Sequence, residues 1–238
     1  MSKKLDRRKF IGALSLGGLG LTVGMPRVAG ATDVRPAILG GPKAHPGNFP
    51  AWPVFDQTEE KALIDVLKSK IWGRPGGPTV TRFQTEYGKL LGAKHCLGDS
   101  SGTSSLSTML GALEVGPGDE VIIPVYTFIA TYNVVTLNYA LPVMVDTDVS
   151  TFQIDASKIE PAVNSQTKVI MPVHMGGSPA DLDTIMEISR KVKVPVIEDA
   201  CQAPLAEWRG RKVGTVGLAG GFSFQASKNI NAGEGGAV

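Results

Sequence analysis

Ser223-Phe224-Gln225-Ala226-Ser227-Lys228-Asn229, followed by Gly233-Glu234-Gly235-Gly236, is the stretch from which the rest of the chain is read. A strand-like run from Ala219 to Phe224 leads into Lys228, which is flanked by small residues and glycines. A lysine at the edge of such an apolar segment is partly desolvated, which favours the neutral amine and a nucleophile able to form a Schiff base. Upstream, Glu198-Asp199 close another strand-like run. An acid placed there can keep a pyridine nitrogen protonated, so that the ring draws electrons. Taken alone, Lys228 would read as an ordinary solvated lysine after a buried strand.

A second cluster lies at Gly98-Asp99-Ser100-Ser101-Gly102-Thr103-Ser104-Ser105-Leu106. Its small residues let the backbone approach an anion, and the run from Thr103 to Leu113 predicts a helix whose first amides face that anion. Ser/Gly/Thr clusters before helices also arise from plain capping and loop chemistry. The cup gains meaning from Asp199 and Lys228: phosphate donors, an acid and a nucleophilic lysine together match a pyridoxal-phosphate site.

These pieces resemble the fold-type I sugar aminotransferases of the DegT/DnrJ/StrS family, from about Phe49 to the last residue. The resemblance is carried by Ser101-Gly102-Thr103, Pro124-Val125-Tyr126-Thr127-Phe128-Ile129-Ala130-Thr131, Pro142-Val143-Met144-Val145-Asp146, Pro172-Val173-His174-Met175-Gly176-Gly177, Glu198-Asp199-Ala200-Cys201-Gln202-Ala203 and the Lys228 segment. It implies that Gly102 and Thr103 bind the phosphate, Phe128 stacks on the pyridine ring and Asp199 pairs with the ring nitrogen. It further implies that Gln202 lies against the ring on its 3-hydroxyl side, that Ser223 adds a phosphate bond, and that Lys228 forms the Schiff base. A related branch of the family dehydrates sugars with a histidine in place of the lysine, so Lys228 argues for transamination. The implied reaction moves an amino group from an amino-acid donor, glutamate or glutamine, to a keto-sugar, in a homodimer at full length. A non-catalytic or regulatory pyridoxal-phosphate protein, or another fold-type I enzyme such as a lyase, is the alternative.

Each residue also has a plainer reading. Phe128 without its Pro124 and Thr127 context would be a core aromatic, and Gln202 and Ser223 are residue types that commonly bond to nearby backbone. His174 satisfies a turn. No His/Cys/Asp cluster has ligand spacing, so no metal is expected. Cys96 and Cys201 are too few for a disulfide framework and sit in apolar runs, which makes both core residues.

Short β-branched runs alternate with helical stretches, the pattern of a three-layer α/β/α domain with a mostly parallel sheet. Strands are expected near Val121–Ile123, Pro142–Val145, Lys168–Val173, Val194–Ile197 and Ala219–Phe224. Helices are expected over Thr103–Leu113, Ile129–Asn138, Ala156–Val163 and Leu182–Val192, with another opened by Thr58. The site residues should then fall in turns after strands, where open parallel sheets bind ligands. Trp72 to Thr79 is a Gly/Pro-rich loop. Gly235-Gly236-Ala237-Val238 begins a returning strand, and the family's small C-terminal domain is expected to be missing, leaving 53–238 as an incomplete large domain after an N-terminal segment at 32–52.

Residues 1–31 read as an export signal. Lys3, Lys4, Arg7, Arg8 and Lys9 form a basic region, Ile11 to Val23 a short apolar stretch, and Ala29-Gly30-Ala31 a small-residue cleavage pattern. Arg7-Arg8-Lys9-Phe10-Ile11 is similar to a twin-arginine signal, with Asp6 where a serine is usual. The apolar stretch is shorter than the ~20 residues of a spanning helix, so stable membrane insertion after cleavage is not expected. The leader holds six of the 24 basic residues and one of the 22 acidic ones, leaving 18 against 21. A remainder near −3 without a basic run does not suit a nucleic-acid partner.

Overall fold

The alternation in Glu120-Val121-Ile122-Ile123-Pro124 sets the layering, because successive side chains of a strand point to opposite faces of its sheet. A computed structural model describes residues 35–45 and 47–238. The leader at 1–31 lies outside the described residues. Strand β1 is Gly98–Asp99, β2 Glu120–Pro124, β3 Leu141–Val145, β4 Thr167–Ile170, β5 Ile197–Asp199, β8 Ala219–Ser223 and β9 Gly236–Ala237, while β6 (Glu207–Trp208) and β7 (Arg211–Lys212) pair as a separate hairpin. Helices are α1 Gln57–Ser69, α2 Thr79–Leu91, α3 Gly102–Ala112, α4 Ile129–Leu137, α5 Ile159–Ala162 and α6 Leu182–Val192.

The chain divides between Ala62 and Leu63. In the first unit, a 3-10 turn at Ala37–Leu39 ends at Gly40 with φ 90°, and Asp56 accepts the amide of Thr58 at 2.6 Å where α1 begins. The second unit carries the sheet. Strand β2 runs parallel to β3 on one side and to β4 on the other, and β5 runs parallel to β8. Parallel bridges from Ile170 to Val196 and from Val173 to Asp199 join β4 to β5. Strand β9 is antiparallel to both β8 and β1. The resulting order is β3-β2-β4-β5-β8-β9-β1, with β9 alone reversed among the described strands of this sheet.

Two cores cover the two faces. Val121, Ile123, Val169 and Met171 pack with Leu106, Met109 and Leu110 of α3 and with Val134 and Val135 of α4. Ile122, Ile170 and Val196 pack with Ile159 of α5 and with Ile185 and Ile188 of α6. Each burial removes roughly 1.5–3 kcal/mol of apolar exposure per large side chain, so the alternation itself fixes the α/β/α sandwich. Helix α6 illustrates the local logic. Asp181 accepts the Thr184 amide at 3.2 Å, Asp183 lies in the first turn, and Arg190 and Lys191 lie in the last. Those signs complement the helix dipole.

Several sequence expectations are corrected. Ala156–Val163 is a 3-10 turn (Ala156–Lys158) followed by one α-turn, because Asp155 bonds the Ser157 amide at 3.1 Å and Pro161 offers no amide. Strand β4 stops at Ile170, ahead of Pro172, and β5 begins at Ile197, after Pro195. Asp199 and Ser223 are the last residues of β5 and β8 rather than residues of the following turns, and Gly102 joins Thr103 in the first turn of α3. Helix α2 and the 207–212 hairpin have no counterpart in the sequence reading; β-branched Thr79, Val80 and Thr81 conceal the helix start.

Strand β9 is seated inside the sheet, and Val238 exchanges backbone bonds with Leu97 at 2.8 and 2.9 Å. Gly236 is there because nothing larger fits: a Cβ would stand 2.2 Å from the Ser101 carbonyl oxygen. Since the obstacle is backbone, Gly236→Ala is expected to destabilise by about 3 kcal/mol, the upper range for overpacking. Urea unfolding measures this, and an unchanged midpoint would show that β9 does not seat against α3.

Candidate active site

The parallel strands end on one side of the sheet, and there β5, β8, the start of α3 and the start of α4 surround a cavity of ≈ 440 Å³. Gly102, Thr103, Phe128, Asp199, Gln202, Ser223 and Lys228 all line it, so the structure gathers every residue singled out from the sequence. Ser101, Cys201, Gln225 and Glu234 also line it.

At one end stands the first turn of α3. Ser101 caps the helix, accepting the Ser104 amide at 3.1 Å, and the Ser105 amide bonds the Ser101 carbonyl at 3.0 Å. The amides of Gly102 and Thr103 precede the first intrahelical bonds and carry the positive end of the helix dipole. Gly102 brings this turn hard against the end of β8: a Cβ would lie 2.7 Å from both Cys201 Sγ and Ser223 Cβ. The close approach sets the Ser223 hydroxyl beside those amides.

Asp199 forms the floor and is 4 % exposed. Its Oδ2 accepts from Thr131 Oγ1 at 2.8 Å, and its Oδ1 accepts the Cys201 amide at 3.1 Å. Because an ionised carboxylate only accepts, Thr131 donates to Asp199, and Thr127, 2.8 Å from Thr131, donates in turn. Thr127 stands just ahead of α4, four residues before Thr131, and that spacing brings it onto the threonine that bonds the acid. The sequence reading included both threonines in a motif but missed this role; their i, i+4 spacing beside Phe128 was the available signal.

Phe128 occupies the N-cap of α4, a position that favours Ser, Thr, Asp or Asn, and it makes no capping bond. It is 61 % exposed, a large apolar face turned to the cavity instead of the core. Gln202 is tethered through Oε1, which accepts the Gly176 amide at 2.9 Å. Lys228 is half-buried in a turn where its amide bonds the Gln225 carbonyl at 2.8 Å. Among the described residues its ammonium has no ion-pair partner.

Cys201 is a cavity residue rather than a pure core one. Burial pushes its thiol well up, and the neighbouring Asp199 charge adds to the shift, so it stays protonated. Cys96 and Cys201 are both free.

Behind Asp199 lies a group that the sequence reading passed over. His174 is more than a turn residue: with Glu198 it is fully buried, Nε2 to Oε2 at 2.8 Å. Burial acts to raise the Glu198 carboxyl, but the His174 contact and the Gly217 and Gly214 amides outweigh it and hold the group below its ordinary value of 4.5. A carboxyl whose pKa falls on folding stabilises above that ordinary value, and the contribution is lost as pH drops through the lower folded value. Glu198→Gln is therefore expected to flatten the acid limb of stability against pH, measured by urea unfolding between about pH 6 and pH 3. An unaltered acid slope would remove Glu198 from the acid response.

Among the described residues no group of three or more His, Cys, Asp or Glu side chains could hold a metal ion, and no helix is long and apolar enough to cross a membrane.

Comparison with known proteins agrees with this geometry. The chain is 43 % identical over 190 residues to 3-amino-5-hydroxybenzoate synthase of Amycolatopsis mediterranei, covering 80 % of this chain and 49 % of that protein. A crystal structure of 3-amino-5-hydroxybenzoic acid synthase superposes with a TM-score of 0.78 at 42 % identity, over 80 % of this chain and 50 % of the other. GDP-perosamine synthase of Caulobacter vibrioides is 40 % identical over 79 % of this chain and 50 % of its own length. A Streptococcus pneumoniae protein described as a sugar aminotransferase, in its PLP form, superposes with a TM-score of 0.72 at 30 % identity, over 78 % of this chain and 50 % of the other. The chain thus spans about half the length of the curated relatives it matches. The pattern of one family runs through residues 53–238, across the sheet and all seven cavity residues expected from the sequence, and the chain belongs to that family, the DegT/DnrJ/EryC1/StrS aminotransferases.

Proposed function

We propose that this chain carries the cofactor site of a pyridoxal-phosphate-dependent aminotransferase, which moves an amino group from glutamate or glutamine to the ketone of a keto-sugar. The observation that carries the reading is the convergence of anion donors, an exposed aromatic, a buried carboxylate and a lysine without an ion-pair partner among the described residues on one cavity at the strand ends. The donor set fits the group from end to end. The α3 amides of Gly102 and Thr103, with the Ser223 hydroxyl, suit a phosphate. The face of Phe128 suits a flat ring, and Asp199 suits a protonated ring nitrogen. Lys228 suits the aldehyde.

Bound there, pyridoxal phosphate supplies an aldehyde that takes up the amino group and a ring that accepts electrons from the reacting carbon. Thr131 and the Cys201 amide each bond one oxygen of Asp199 and so fix how its carboxyl group is turned. Lys228 Nζ would then take the proton from the donor's α-carbon and give it back, which would require an uncharged amine at that step. The first turn of α3, the start of α4 and the end of β8 wall the cavity.

A two-stage reaction follows, with the donor leaving as its 2-oxo acid before the ketone enters. With cofactor and glutamate but no acceptor, about one 2-oxo acid per site is expected, and added keto-sugar should restart turnover. Tight cofactor binding without any 2-oxo acid would instead favour a non-catalytic cofactor-binding protein.

A further inference from the structure

The buried His174–Glu198 pair takes no part in the steps above, yet His174 is bonded to Asp199, which does. Its internal arrangement is fixed. His174 Nδ1 accepts the Ala180 amide at 3.1 Å, so the proton of the neutral ring lies on Nε2 and is donated to Glu198. Glu198 also accepts the Gly214 amide at 2.8 Å and the Val216 and Gly217 amides at 2.7 Å each. With four donors around it, the carboxylate is satisfied as a buried anion.

Its connections run upward to the cavity. The His174 amide donates to the Asp199 carbonyl at 3.0 Å, and the Asp199 amide donates to the Pro172 carbonyl at 2.9 Å. The imidazole and the backbone of His174 thus grip consecutive residues of β5. Immediately after His174 the chain makes the single turn Met175–Gly177, whose Gly176 amide holds Gln202 Oε1. The phosphate end is set mainly by Ser101, α3 and the end of β8, and the pair's links toward it stop short of Ser223: Glu198 pairs with Gly220 where β5 meets β8, and its carboxylate holds the 214–217 amides ahead of that strand.

We propose that Glu198 and His174 are positioning residues: the pair pins the end of β5 to the Met175–Gly177 turn and so sets where Asp199 and Gln202 stand against the cofactor ring. The proposal rests on the reading of the cavity as a pyridoxal-phosphate site. A pair that only stabilised the core would lower the melting temperature and leave the folded protein's two cavity ends equally good. A positioning pair damages the ring end selectively, because a Glu198 amide would turn one acceptor into a donor facing other donors.

The test uses the full chain with Glu198→Gln and, separately, His174→Gln, held well below their melting temperatures. Dissociation constants are measured for pyridoxal phosphate and for inorganic phosphate. The expected result is about a tenfold weaker hold on pyridoxal phosphate, the scale on which outer partners act on a bound group, with phosphate changed less than about twofold. Equal loss of both ligands, or loss of neither, overturns the proposal. An unmodified chain that binds neither ligand sinks the reading of the cavity itself, and this inference with it. Should both variants fail to fold, imidazole nitrogen NMR of the unmodified chain decides. A bare Nδ1 and a protonated Nε2, whose signal shifts with pyridoxal phosphate but not with phosphate, supports positioning. An Nε2 signal that ignores the cofactor overturns it.

Discussion

Lys228→Ala is expected to abolish amino transfer, by about 10⁴-fold or more, and with it the borohydride-sensitive absorption band of a lysine-bound cofactor. The loss is this large because one amine serves twice, first as the covalent anchor and then as the group that moves the proton. Among the described residues Lys228 is also the one lysine lining the cavity. The phosphate contacts proposed for Gly102, Thr103 and Ser223 would be untouched, so the variant should still bind cofactor, without the covalent link. Mass spectrometry after borohydride reduction checks the assignment directly. Label found on any lysine other than Lys228 would show that the cavity has been read wrongly.

Asp199→Asn is expected to slow amino transfer by about 10³-fold, close to 4 kcal/mol of transition-state free energy, while cofactor affinity changes little. The side chain keeps its shape, and Thr131 can turn its hydroxyl to suit the new partner. What disappears is the negative charge that favours a protonated ring nitrogen while charge builds on the reacting carbon. Single-turnover measurements with saturating cofactor separate this from a binding defect. Near-normal turnover would mean that the ring nitrogen needs no anion, and the role given to Asp199 would fail.

Much of the fold could be read along the chain, for identifiable reasons. The β-branched run Val121-Ile122-Ile123, expected as a strand, is one in the structure because a strand buried on both faces gives each of its side chains a core to enter. Helix α6 matches its expected span residue for residue, since Asp181 caps its start and apolar residues recur along one face. Helix α2 was hidden by β-branched residues, whose weak helix propensity is overridden once Tyr87 and Leu91 are buried against Phe222 and Phe224. The one-residue helix shifts at Gly102 and Leu137 come from ends that are settled by capping bonds more than by pattern.

Sequence by itself determined the residue types that the chemistry needs and their order: a cup of small hydroxyl residues, an aromatic, an acid at a strand end and a lysine after another strand. These are local features, legible because strand ends, helix starts and glycines leave marks within a few residues. Only the tertiary structure decided that Gly102, Phe128, Asp199 and Lys228 share one cavity, since the parallel bridges that place β5 beside β4 join residues far apart in the chain. It alone also joined Thr131 to Asp199 and His174 to Glu198, pairs separated by 68 and 24 residues. A buried polar group takes its meaning from the partner that satisfies it, and that partner is chosen by packing rather than by neighbours in sequence.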